Sequence, residues 1–307
     1  MHNSAVFLGI EIGGTKLQLV LGNSKEIVRR WRHPVDCTRG AAGIREQIAA
    51  TVAELMSETW LAAVGVGFGG PVDWKTGKIC CSHHVEGWSD FELGDWLRDL
   101  IKAPVRVEND ANVAALGEAA CGAGADFDPV FYVTLGSGVG GGLVAARRIY
   151  HGASPGEAET GHVRLDREGA TVESRCAGWS VDRRIREFIE KEPGSVLARL
   201  AGKNRGGEAK HLSAALAHGD SAARQILVEA AEDLSFALSH VTHLFHPAVI
   251  VLGGGLSLLG EPLRSAVAAT LPRFVMRAFG AGPEIRLAAL GEDAVPIGAL
   301  VLAGSTI

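Results

Sequence analysis

Apolar and polar residues alternate in Lys16-Leu17-Gln18-Leu19-Val20-Leu21, which follows the β-rich run Val6-Phe7-Leu8-Gly9-Ile10-Glu11-Ile12 and the pair Gly13-Gly14. A period of two on either side of a glycine pair predicts two strands joined by a tight turn. A third strand is expected over 26–32, after Gly22-Asn23. Over 41–57 the period lengthens, with Ile44, Ile48, Val52 and Leu55 on one helical face. The run 62–68 reads as a buried strand that ends at Gly69-Gly70-Pro71. Residues 93–101 read as a helix, 105–107 as a strand and the alanine-rich 111–120 as a helix.

The pattern then restarts. Val130-Phe131-Tyr132-Val133-Thr134-Leu135 is a strand, Gly136-Ser137-Gly138 a turn, and 139–145 a glycine-laced strand, with a third short strand at 148–150. Setting Val6 on Val130 lays strand on strand and glycine turn on glycine turn. A long helix over 221–245, a strand at 248–252, a helix after Gly260, a strand at 284–287 and a helix over 294–303 complete the second half. An internal repeat of this size predicts an α/β protein of two similarly built lobes. Residues 152–180 match neither lobe. Rich in Gly, Pro, Ser and charge, they are long for a structureless connection and read as a functional insertion.

Composition narrows the function classes. With 30 Lys+Arg against 35 Asp+Glu the net charge is −5, so no basic surface stands ready for nucleic-acid phosphates. The 47% hydrophobic content excludes disorder. No segment reaches the ~20 apolar residues that span a bilayer, and no signal-peptide pattern opens the chain. The five cysteines, Cys37, Cys80, Cys81, Cys121 and Cys176, form neither a disulfide framework nor a zinc motif and read as reduced thiols. A soluble cytoplasmic protein is expected.

Glycine is the outlier, 40 of 307 residues, roughly twice the usual ~7%. Four clusters stand at strand ends: Gly13-Gly14, Gly69-Gly70, Gly136 to Gly142, and Gly253-Gly254-Gly255. Such a glycine lets backbone N–H groups approach a ligand with no Cβ in the way. Thr15 and Lys16 add a hydroxyl and a cation beside the first pair. One turn per lobe, related by the repeat, predicts a polyphosphate site. Gly136-Ser137-Gly138-Val139-Gly140-Gly141 also matches G-x-G-x-x-G, with Glu157 about twenty residues on. A dinucleotide fold would need those glycines to open a helix, whereas Leu143-Val144-Ala145 reads as strand, and that reading is rejected.

These residues resemble the ROK family, the sugar kinases and repressors of the actin-like ATPase superfamily. Glu11-Ile12-Gly13-Gly14-Thr15-Lys16 resembles its first phosphate motif, and Gly67-Phe68-Gly69-Gly70-Pro71-Val72-Asp73 its Gly-Pro turn. Glu108-Asn109-Asp110-Ala111-Asn112 resembles the catalytic segment, and Thr134 to Gly142 the second phosphate loop. Val251-Leu252-Gly253-Gly254-Gly255 is similar to the nucleotide-side loop, and Leu290-Gly291-Glu292-Asp293-Ala294 with Gly298-Ala299 to the terminal motif. The resemblance implies two RNase H-like lobes around a central cleft. The first would comprise 1–115 plus 295–307 and the second 116–294, with a sugar-loop insertion at about 152–180. The family's repressors carry a helix-turn-helix ahead of the first strand; here that strand starts by residue 6, which favours an enzyme.

Transfer of a phosphoryl group from ATP to a sugar hydroxyl needs a carboxylate to accept the hydroxyl proton. Asp110 is expected in that role, with capping of the following helix as the competing one. The resemblance implies that Gly70, Asn109, Glu159 and His162 contact the sugar. It also implies that Glu11, Gly13, Gly14, Thr15, Lys16, Gly136, Ser137, Gly138, Gly254 and Gly255 serve ATP and its Mg²⁺. Glu11 stands where the family commonly has Asp, and Ala158 where it has Gly. A homodimer or higher homo-oligomer is the family's common state.

One departure is large. Most family members bind zinc through the His and three cysteines, whose positions here fall on Val172, Ser174 and Trp179. Cys176 is off register, so zinc is not expected, and Trp179 is expected to pack in the space, with stacking on a sugar face as the alternative. The motif's sugar-binding Glu falls on Val181: either Asp182, one residue on, replaces it after a small backbone shift, or that hydrogen bond is gone. A catalytically weak sugar or nucleotide sensor, or an actin-like ATPase with a non-sugar acceptor, are the competing functions.

Overall fold

The computed structural model describes residues 5–82, 85–154, 156, 158–202 and 205–306; Glu157 lies outside them. The chain opens with β1 (Phe7–Ile12), β2 (Lys16–Gly22), β3 (Ile27–Pro34), α1 (Gly40–Met56) and β4 (Ala63–Phe68). A two-stranded hairpin, β5 (Val72–Asp73) and β6 (Lys78–Ile79), precedes α2 (Leu93–Ile101), β7 (Val105–Asn109) and α3 (Asp110–Cys121). The sheet order is β3-β2-β1-β4-β7. β1 pairs antiparallel with β2 and parallel with β4. Every residue of β4 is buried, as a central strand covered on both faces requires.

The second half repeats this plan: β8 (Val130–Leu135), β9 (Val139–Ala145) and β10 (Arg148–Ile149). After α4 (Val172–Cys176), α5 (Gly178–Lys191), α6 (Val196–Ala201), α7 (Leu212–Ala217) and α8 (Ser221–Phe245) come β11 (Val249–Gly253), α9 (Glu261–Thr270), β12 (Glu284–Leu287) and α10 (Ala294–Gly304). Its sheet order, β10-β9-β8-β11-β12, matches the first strand for strand. The expected structureless insertion is partly helical. Thr171 and Ser174 form a reciprocal capping box that starts α4, and α5 begins inside the same stretch.

Two compact units result. The first comprises residues 1–126, 142–158 and 290–307, and the second 127–141 and 159–289; α3, which runs across position 115/116, stays whole in the first. In the first unit Leu8, Ile10, Ile44, Ile48, Val66 and Trp88 fill one side of the sheet. Phe7, Val20, Leu300 and Ala303 cover the other. Here the glycines have a second use beyond turns. A Cβ on Gly65 would stand 2.0 Å from the Ala299 carbonyl oxygen, and one on Gly298 1.9 Å from that of Val113. α10 therefore lies backbone to backbone on β4 and α3. Fully buried Glu118 ties the same elements, accepting from the N–H groups of Ala123 and Leu290 at 2.8 Å. Among the described residues no helix is long and apolar enough to cross a membrane.

Candidate active site

In the first unit the β1–β2 turn is closed by Gly13 N–H donating to Lys16 O at 2.9 Å, with Thr15 exposed at its tip beside Gly14. Glu11 and Gln18 sit directly opposite each other in the ladder. The Gln18 amide donates to Glu11 Oε2 at 2.7 Å, and Lys16 Nζ lies 3.1 Å from Oε1. Both carboxylate oxygens are thus held. Burial nonetheless pushes the Glu11 carboxyl up, and Lys16 offsets only part of that. Gln18, 1% exposed, accepts in turn from Arg30 and Arg32. Arg30 reaches Asp293 of the terminal motif at 2.7 Å. Gln18 was not among the expected residues; its signal in the sequence is a polar side chain facing Glu11 within an otherwise apolar strand.

At the end of β7 the capping role goes to Asn109. Its side-chain oxygen accepts from Ala111 N–H at 2.9 Å and Asn112 N–H at 3.3 Å, while its amide donates to Gly70 O at 3.2 Å. Asp110 is the first helical residue, where the partial positive charge of the α3 N-terminus favours an anion. Its Oδ1 accepts from Ala111 N–H at 2.9 Å. Its Oδ2 projects over Gly69. A Cβ added there would lie 3.4 Å from Oδ2, 3.4 Å from Ile12 O and 3.6 Å from Gly13 Cα. The candidate base and the first glycine turn are therefore neighbours across Gly69. Beside them Glu108, 1% exposed, lies 3.0 Å from His151 Nε2, whose ring stacks on Trp74 with centroids 4.0 Å apart. Glu108 stands in the segment that resembles the catalytic one, but no motif pointed to Trp74 or His151.

In the second unit the two remaining turns are adjacent. Gly136 N–H donates to Gly138 O at 2.9 Å, with Ser137 between them. Gly254, at φ +79°, is so close to β8 that a Cβ would stand 2.6 Å from the Leu135 backbone, with Gly255 following. Val139 N–H is taken by the carboxylate of Glu173 at 3.0 Å, a residue sequence reasoning missed. Glu159 and His162 are exposed at the two ends of one short turn, joined by His162 N–H donating to Glu159 O at 3.1 Å.

Asp182 and Trp179 differ in burial. Asp182 is buried, and its oxygens accept from Gly207 N–H at 2.8 Å and Ala209 N–H at 2.7 Å. It is a tie for the 206–211 turn. Trp179 is 45% exposed, with Arg183 over its ring; Val172, Cys176 and Val181 fill the interior instead. The donor set does not suit zinc. Burial pushes the Cys176 thiol up to about 12, away from the thiolate that zinc needs. Among the described residues no three His, Cys, Asp or Glu side chains converge on a metal position.

Comparison with known proteins accords with this geometry. The ROK family model matches residues 7–306. A glucokinase of Halalkalibacterium halodurans is 32% identical over 95% of this chain and 93% of its own. A glucokinase of Thermotoga maritima is 29% identical over 95% of each chain. Among solved structures, a ROK family glucokinase from Streptomyces griseus in complex with glucose and AMPPNP superposes with a TM-score of 0.82. It is 30% identical and covers 98% of this chain and all of its own.

Proposed function

Since the chain belongs to the ROK family, we propose that it transfers the γ-phosphoryl group of ATP to the 6-hydroxyl of a hexose or hexose derivative, with Asp110 as general base. It has the actin-like ATPase fold and is an ATP-dependent sugar kinase, as its glucokinase relatives are. The assignment of Asp110 rests above all on one observation: its carboxylate faces Gly69 beside the first glycine turn, while Asn109 does the capping.

The sugar oxygen attacks the γ-phosphorus, the bond to the bridging oxygen of ADP breaks, and the hydroxyl proton passes to the Asp110 carboxylate. Gly13, Gly14, Thr15, Lys16, Gly136, Ser137, Gly138, Gly254 and Gly255 are the residues proposed to serve the nucleotide. Mg²⁺ would neutralise phosphate charge, and Glu11, an acid held beside Lys16 at the turn, is the residue suited to orient it through water. Gly70 and Asn109, which share a hydrogen bond, and the exposed pair Glu159 and His162 would hold the sugar.

The test is release of ADP from Mg-ATP across a panel of glucose, mannose, fructose, N-acetylglucosamine and N-acetylmannosamine. Asp110→Asn is expected to lower kcat by ~10²–10⁴, the usual worth of a positioned base. Full turnover in that variant would remove Asp110 from the mechanism. Because Asp182 is committed to the fold, a binding-only sensor is the second reading, and calorimetric sugar binding without turnover would select it.

A further inference from the structure

Glu173 stands in the first turn of α4, far along the chain from the second glycine turn, yet its carboxylate accepts the Val139 N–H at 3.0 Å. A Cβ on Gly138 would lie 2.7 Å from the same Oε2, so Gly138 must lack one for the carboxylate to lie there. Two further contacts join these segments. Gly178 N–H donates to Gly136 O at 2.8 Å, and Gly161 packs so tightly that its Cβ would stand 2.2 Å from Val139 O. The turn Gly136-Ser137-Gly138-Val139 is therefore clasped by the 159–178 segment, and Glu173 supplies a side-chain acceptor in the clasp.

We infer that Glu173 is a positioning residue for this phosphate turn, fixing through Val139 N–H the backbone shape that receives the nucleotide. The inference rests on the kinase reading above for its functional consequence. A hairpin turn built largely of glycine has many conformations open to it, and binding to a loose turn loses the entropy of ordering it. An acceptor locked onto Val139 N–H removes that freedom before the nucleotide arrives. The requirement is for an acceptor oxygen, not for charge. A negative charge beside a polyphosphate opposes binding, so the amide of glutamine serves equally well.

The experiment compares the parent with Glu173→Ala and Glu173→Gln by steady-state kinetics and by calorimetric titration with Mg-AMPPNP, with melting temperatures alongside. In Glu173→Ala the KM for ATP and the Kd for AMPPNP are expected to rise about five-fold, the loss of one ordinary hydrogen bond. The KM for sugar and the melting temperature should be nearly unchanged. Glu173→Gln should restore both nucleotide constants to within about two-fold of the parent, since its amide oxygen still accepts. An alanine variant with unaltered nucleotide constants overturns the proposal, as does a glutamine variant as impaired as alanine. If the parent binds AMPPNP but phosphorylates no sugar, the kinase reading fails while the titration still tests the clasp.

Discussion

Glu11 is satisfied and strained at once: both oxygens are held by Lys16 and Gln18, yet burial raises its carboxyl above the 4.5 usual for glutamate. The native state therefore keeps this proton to higher pH than the unfolded chain does. It binds more protons across the interval from about pH 4.5 up to the raised value, and stability falls as pH rises through it. Glu11→Gln is accordingly expected to exceed the parent in urea midpoint at neutral pH, with the difference shrinking at ~pH 4. A parent that is the more stable at neutral pH would show that its partners outweigh burial. The carboxyl so raised lies beside the turn proposed for phosphate.

Among the elements, α3 and α10 show how backbone contact places the proposed base. α3 carries Asp110 at its N-terminus and Val113 one turn on, and Gly298 of α10 fits against the Val113 carbonyl. Gly298→Ala puts a Cβ within 1.9 Å of that oxygen, and such overpacking costs about 1–3 kcal/mol. The melting temperature should fall, and kcat with it, because α3 must shift to relieve the clash. Unchanged kcat in a destabilised variant would separate the packing from the site.

The hairpins, α1 and α8 were legible because their periods run unbroken and glycines stand at the hairpin turns and at or just before the helix starts. α4 was not, since five residues are too short to display a helical period. α5 was obscured because its polar Ser180 and Asp182 are buried beside Val181. The glycine turns, and Asp110 at the start of a helix, were legible from residue type and position. Gln18 and Glu173 depend on contacts across a sheet and across a long stretch of chain, which no local pattern records. Asp182 shows that an acid's place in the sequence says nothing of which N–H groups will take its oxygens.

Across the whole molecule, one plan of five strands is used twice, but only the first copy needs a helix from the far end of the sequence. A chain ending at Ala289 lacks α10 and leaves one face of the first sheet without Leu300 and Ala303. Five of the six tryptophans lie in the first unit, Trp88 among them at 1% exposure, so tryptophan emission reports on that unit. The shortened chain is expected to emit at the red-shifted wavelength of exposed indole; a native-like spectrum would show that the first sheet holds without α10. The same dependence sets an order of events during protein synthesis. α10 leaves the ribosome after every other element, so at ~5–20 residues per second the glycine-lined face of the first sheet waits on the order of tens of seconds for its cover. In the cell that interval is when a chaperone has a nascent surface to hold, and when proteolysis or mispairing would do most damage.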